Sequence, residues 1–334
     1  MTYSTKYKIF NIWLLTLSIF VALMVSIGGI TRLTDSGLSM VEWRPIYGIL
    51  PPLSNEEWFR VFNLYKLTPE FLEYNFDMSL SDFKFIFFWE YVHRLWGRII
   101  GIIFLFPLII FWWKNMIPKF FKIPLIFLLF LGILQSIVGW WMVKSGLANT
   151  PDVSHYRLAT HLILALIIFS ILVWLYLNSN YGMAAFPNIF QISILFLIFV
   201  TIAAGALVSG MKAGLLYNEY PLMGNTLVPI EYGEYGILDP FENPASAQFH
   251  HRWLGALTFA AVIVLGLKER SASFAFRSNL VVAAVSLQFT LGIVTLLHGV
   301  PVALGGMHQA GAVILLGCLL ALLHGTSGPI QRGP

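Results

Sequence analysis

The sequence predicts an all-α integral membrane protein with eight transmembrane helices, arranged as two tandem, pseudo-symmetric four-helix bundles. Three observations lead there. Of its 334 residues 58% are hydrophobic and only 11% charged, far from the balance of a soluble globular domain. Eight apolar runs are long enough to cross about 30 Å of hydrocarbon. Polar motifs of the first half also recur, in order, in the second.

The runs fall at 11–31, 92–113, 123–143, 158–177, 188–210, 251–268, 278–297 and 304–324. The first is long and uninterrupted and no Arg/Ser-rich presequence precedes it, so a retained span is expected. Between the first two runs, residues 32–90 are acidic and rich in Trp, Pro and Tyr. That composition predicts an ordered cap with short amphipathic helices near 55–66 and 80–89. Its counterpart, 211–250, is also aromatic and rich in Pro and Gly. With an even number of spans both termini lie on one side. The segments grouped with them carry Lys6, Lys8, Lys114, Lys119, Lys122, Lys268, Arg270, Arg277 and Arg332 against one acid, Glu269. The positive-inside bias therefore predicts cytoplasmic termini and long loops outside. The net charge of +4 follows from this topology and implies no nucleic-acid partner.

The repeat is specific. Glu90-Tyr-Val-His93-Arg94-Leu-Trp-Gly97 aligns with Gln248-Phe-His-His251-Arg252-Trp-Leu-Gly255, each following a long outer loop. Gln135-x-x-x-Gly139 aligns with Gln288-x-x-x-Gly292, and His161 with His308. The halves divide at 1–180 and 181–334, related by an axis along the membrane normal.

His93, His161, His251 and His308 each lie near the outer start of a descending helix, which predicts one pair per half at a common depth. An imidazole in lipid is costly unless it faces a bundle interior, where it marks function. Bis-His ligation of haem is the preferred reading. Zinc asks for three or four donors in one shell, and copper for Cys or Met beside His. Arg94, Arg98 and Arg252, with Arg32 and Arg157 behind them, are candidate partners for haem propionates, which guanidinium groups pair bidentately; snorkelling to lipid phosphate is the competing role. Glu90 stands three residues before its histidine and on the same helix face, where the second half has Gln248. A carboxylate can accept a proton or stabilise positive charge as Gln cannot. The first site is thus expected to perform chemistry and the second to hold a permanent redox haem. His155, His250, His298 and His324 are read as interfacial, and the lone Cys318 as a small core residue that excludes an intrachain disulfide.

Taken together, "GGITRLTDSGLSMVEWRPIYGILPP", "EEWFRVFNLYK", "EYVHRLWGRIIG", "QFHHRW" and "HQAGA" closely resemble the haem A synthase family in its proteobacterial and mitochondrial branch, over about 25–320. The resemblance implies an eight-helix membrane oxidoreductase that converts the C8 methyl group of haem O to a formyl group, giving haem A for cytochrome oxidase. It implies a haem b cofactor on His251 and His308, the substrate site at His93 and His161, and a catalytic acid at Glu90; the expected role of Glu90 is to stabilise a cationic intermediate at the C8 methylene or to deprotonate the attacking water. It also implies haem O-producing farnesyltransferase and oxidase assembly factors as partners, with membrane lipid around the helices. A bacterial inner membrane is expected over a mitochondrial one. Some branches carry a Cys pair in the first outer loop; here that loop has none. A bis-His dihaem cytochrome passing electrons from quinol would explain the histidines and arginines equally well, but not the Glu/Gln difference. A transporter would explain the duplication, but its site would be expected beside helix breaks near the midplane.

Overall fold

The computed structural model of the protein describes residues 3–42, 47–148 and 150–328. Trp43, Arg44, Pro45 and Ile46 of the loop motif, Arg332 of the basic set and the side chain of Lys6 lie outside the described residues. In chain order the helices are α1 (Tyr3–Leu33), α2 (Asn55–Tyr65), α3 (Pro69–Glu73), α4 (Leu80–Trp113), α5 (Lys119–Gly146), α6 (His155–Tyr181), α7 (Ile189–Gly210), α8 (Asp239–Glu242), α9 (Pro244–Lys268), α10 (Ala275–Leu297) and α11 (Val302–Thr326). No strand occurs among the described residues. The eight long ones, α1, α4, α5, α6, α7, α9, α10 and α11, are apolar enough to cross a membrane, and each coincides with one of the expected runs.

The helices outrun those runs where hydropathy stops being the deciding signal. The separate helix expected near 80–89 is the start of α4, which continues unbroken for 34 residues. At 1.5 Å per residue that is about 50 Å, so roughly 20 Å of α4 projects beyond the hydrocarbon. Ser79 fixes the start with a capping box: its hydroxyl accepts from the Asp82 N–H, and the Asp82 carboxylate accepts from the Ser79 N–H. Within the span, Pro107 has no N–H to donate to the Ile103 carbonyl. The indole of Trp13 on α1 donates to that oxygen at 2.8 Å, as a hydrocarbon environment requires.

The helices share one apolar core. α1 packs on α4, α6 and α11; α6 packs also on α5, α7 and α11; α7 packs on α9, and α10 on α9 and α11. Leu17, Phe111, Leu125, Leu166, Ile198, Leu265, Val281 and Leu316, one from each long helix, are all buried in it. Contacts between the halves, through α1, α6, α7 and α11, are as much a part of this core as contacts within each half.

The two long connections lie at the same end of the bundle, here called the cap end. The first forms a second, smaller core of Phe62, Tyr65, Phe71, Phe83, Ile86 and Phe87, closed over by Trp58 and Met78. It is built from α2, α3 and the projecting turns of α4, whose aromatic rings meet edge-on, stacked or tilted at centroid separations of 4.9–6.1 Å. The second connection folds around Asp239, which accepts from the Gly233 and Tyr235 N–H groups, Asn243 and Ser246. Burial pushes that carboxyl up, but these donors outweigh burial and hold it down to about 2.

Phe83 is fully buried at the centre of the cap core, so Phe83→Ala is expected to cost about 3–5 kcal/mol locally. Limited proteolysis within residues 47–79 should accelerate while the spans remain resistant. Unchanged cleavage would show that the cap does not depend on this core.

Candidate functional site

All four sequence-predicted histidines line one continuous cavity of about 1480 Å³, larger than the roughly 300–1,000 Å³ of ordinary small-ligand pockets. His161 and His308 are each the seventh residue of α6 and α11, His251 is the eighth of α9, and His93 is the fourteenth of α4 because α4 starts early. Arg32, Glu90, Arg94, Arg98 and Arg252 share the wall. Arg157 does not line it; its guanidinium stacks on Trp141 at 4.4 Å and donates to the Trp141 carbonyl at 2.8 Å.

The repeated glycines and glutamines have one purpose, which is to seat the rings. A Cβ placed on Gly28, Gly139, Gly205 or Gly292 would lie 3.0, 2.9, 2.8 or 2.8 Å from Cε1 of His93, His161, His251 or His308 respectively. Each ring therefore rests on a bare stretch of neighbouring helix. Gln135 Nε2 lies 3.2 Å from Nδ1 of His161 and donates to its carbonyl at 3.1 Å. Gln288 repeats this at His308, at 3.2 and 2.9 Å. The Gln-x-x-x-Gly spacing thus places both supports of one ring on one face of the preceding helix. None of this is visible in the helix that carries the histidine.

These residues fit haem. The His251 and His308 rings stand 6.4 Å apart between centroids, at 83°. That separation admits one metal ion bonded to a nitrogen of each ring at about 2 Å. No three His, Cys, Asp or Glu side chains converge among the described residues, so a metal held by such a pair needs its remaining ligands from a bound molecule, as porphyrin provides. A metal-bound imidazole also needs an acceptor for its other N–H. Thr201 O lies 3.1 Å from His251 Nδ1, and the buried, unpartnered Oε1 atoms of Gln135 and Gln288 belong to the amides that touch the other two rings. His93 differs: its Nδ1 is buried without a hydrogen-bond partner among the described residues.

The two halves diverge most at Glu90. Its Oε1 is 2.5 Å from Arg94 Nη2, and its Oε2 accepts from the Ser39 hydroxyl and the Met40 N–H, both at 2.7 Å. Glu90 is buried, and both oxygens are committed to donors supplied by the first connection and by its own helix. Gln248, at the matching position, donates to the Tyr217 carbonyl at 3.0 Å, and its own oxygen has no partner among the described residues.

The arginines first serve the protein itself. Arg94 donates to the Met40 and Glu42 carbonyls, and Arg252 to those of Tyr217, Glu219 and Leu222, so each clamps a cap connection to its histidine helix. Arg32 pairs with Asp35 at 3.0 Å and donates to Ser209 O and Gly210 O at the end of α7, satisfying helix-terminal carbonyls. The remaining histidines do not line the cavity. His324 is buried and bonded to Asn178 at 3.1 Å; His250 and His298 lie 2.7 and 2.8 Å from carbonyls in their own helices; His155 faces Glu242 at 3.9 Å. Cys318 is half-buried beside the main core. Sequence reasoning missed Ser39, Met40, Thr201 and the cap residue Glu70, and no spacing signal in the chain connects them to the histidines.

Gly292→Ala should displace the His308 ring and lower haem retained by the purified protein, whereas Gly317→Ala, whose added Cβ would meet Phe169 at an ordinary 3.5 Å, should not. Haem-to-protein ratio by absorbance after extraction measures both. Equal ratios would contradict a ligand role for His308.

Residues 11–320 match the family model described as "Cytochrome oxidase assembly protein". The chain is 41% identical to a protein named heme A synthase from Sinorhizobium fredii, over 96% of this chain and 90% of that one. It is 43% identical to one from Rickettsia bellii, over 92% and 95%, and 41% identical to one from Rhizorhabdus wittichii, over 95% and 94%. With paired histidines on one membrane-embedded cavity and a match across almost its full length, the chain belongs to the cytochrome oxidase assembly protein family that includes these heme A synthases.

Proposed function

We propose that the protein is a membrane-bound haem A synthase, an oxidoreductase that converts the C8 methyl group of haem O to a formyl group. It works in the bacterial inner membrane with both termini in the cytoplasm and the cap end outside. The N-terminal half, 1–180, takes haem O between His93 and His161. The C-terminal half, 181–334, holds haem b on His251 and His308. The observation that carries this reading is the inequality of two otherwise matched sites: a carboxylate held by three donors at Glu90, against a neutral amide at Gln248.

Bound haem b would supply one-electron redox capacity beside the substrate. The protein's own residues do the rest. Donors from Arg94, Ser39 and Met40 converge on Glu90 and hold its carboxylate in place. Glu90 therefore acts as a fixed negative charge, prepared in advance for positive charge developing at the substrate carbon, where preorganised electrostatics is most effective. This favours charge stabilisation over proton abstraction by Glu90 itself. Ligand exchange follows the same asymmetry. Thr201 fixes the His251 ring for a resident group, while His93 Nδ1 has no hydrogen-bond partner among the described residues, as suits a site that must accept substrate and release product.

Glu90→Gln should lower formation of the oxidised product by about 10²–10³-fold with haem content retained; a variant converting haem O at the parental rate would remove Glu90 from the chemistry. The reading as a whole is tested by haem extraction and chromatography of the protein purified from a host that makes haem O and lacks its own haem A synthase. Haem A or its hydroxylated precursor beside haem B is the expected result. Haem B alone, with haem O present, would instead identify a dihaem electron-transfer cytochrome.

A further inference from the structure

Oxidising a methyl group in a closed cavity requires proton exchange with water outside, whichever molecule supplies the oxygen. If water does, each hydroxylation releases two protons along with two electrons; if dioxygen does, with two electrons from a reductant, each hydroxylation consumes two protons and yields water. Glu90 is already held by Arg94, Ser39 and Met40.

A second buried carboxyl lies on the same cavity wall. Glu70, near the start of α3, is 5% exposed and lines the cavity together with Glu90 and His93. Its only hydrogen-bond donor to the carboxyl among the described residues is the Tyr65 hydroxyl, at 2.8 Å to Oε2. Asn75 Nδ2 donates to that hydroxyl at 2.7 Å, which turns the Tyr65 proton toward Glu70. Tyr65 is fully buried and Asn75 half-buried, so this short chain runs from the cavity wall toward the cap surface. The charged and titratable groups facing Glu70 are Tyr65 from α2, Asp35 from the segment after α1, Glu90 from α4 and Lys212 from the segment after α7. Lys212 is itself engaged by Asp152 at 3.1 Å and Asp35 at 3.5 Å. No cation is paired with Glu70 among the described residues.

We infer that Glu70 is a proton-relay residue, passing protons between the haem O cavity and the aqueous phase at the cap end. This rests on the proposed oxidation of haem O. The step is plain proton transfer, carboxylate plus hydronium giving carboxylic acid plus water, and its reverse. The group is tuned for it: burial, then the negative charges of Asp35 and Glu90, outweigh the Tyr65 bond and Lys212 and push the Glu70 carboxyl up to about 8. It can therefore load and unload near neutral pH. The sign for stability follows. Because the folded value lies above the ordinary carboxylate value of about 4.3, the native cap binds a proton that the unfolded loop releases, and cap stability falls as pH rises from near that ordinary value through the folded one.

The test is haem O conversion by the purified full-length protein between pH 6 and 10, with the haem content of each variant measured alongside. Glu70→Gln keeps an acceptor for Tyr65 but cannot exchange a proton. It should slow conversion roughly 10²-fold and abolish the pH limb with midpoint near 8, at unchanged haem content. Glu70→Asp should restore part of both, and Tyr65→Phe should move the limb upward by removing the bond that lowers the carboxyl. A Glu70→Gln enzyme with parental rate and pH profile overturns the relay. Should that variant lose its haem, a limb unmoved in both Glu70→Asp and Tyr65→Phe overturns it equally. If the parental protein forms no oxidised product at all, it is the haem A synthase reading that falls, and the relay with it.

Discussion

A polar group inside a membrane protein has no bulk water to fall back on, and every ring nitrogen and carbonyl drawn into the bundle must find a partner in the protein or in a ligand. The positions of the four histidines follow from that constraint. Gln135 and Gln288 reach the rings of His161 and His308, and the Thr201 carbonyl reaches that of His251. Among the described residues the buried polar atoms without a partner include His93 Nδ1 and the Oε1 atoms of Gln135 and Gln288, on or beside three of those rings. The same rule governs the backbone, with Trp13 supplying the hydrogen bond that Pro107 cannot.

The motifs that recur in the two halves match at some positions and differ at others. Arg94 and Arg252 do the same work, each tying a cap connection to its histidine helix. Beside Arg94 stands Glu90, buried and held by three donors, and beside Arg252 stands Gln248 with an oxygen to spare. One position of the recurring motif thus carries a carboxyl group in the first half and an amide in the second. The rings differ in the same sense, since the Thr201 carbonyl lies beside His251 Nδ1 and His93 Nδ1 has no partner among the described residues.

The cap is part of the site. Its aromatic core holds α2 and α3 against the projecting turns of α4, and that arrangement brings Ser39 and Met40 onto Glu90 and places Glu70 on the cavity wall. Without the 34-residue length of α4, no rigid platform would exist beyond the hydrocarbon to organise a connection of this length.

The eight spans were legible in the chain because hydrocarbon thickness imposes a length on each helix, and the recurring spacing of its polar residues marked the histidines and the arginines beside them that line one cavity. The Gln-x-x-x-Gly repeat was equally visible, but its meaning was not: its partners are the rings of His161 and His308, 26 and 20 residues further on. The start of α4 was misplaced because an amphipathic extension reads like a separate cap helix until the capping box at Ser79 is seen. Glu70, Ser39 and Thr201 carry no local mark at all. Sequence alone therefore determined which helices cross the membrane and which groups they carry into it. Only the tertiary structure decided which oxygens and nitrogens face one another, because burial and pairing depend on helices far apart in the chain converging on a common wall.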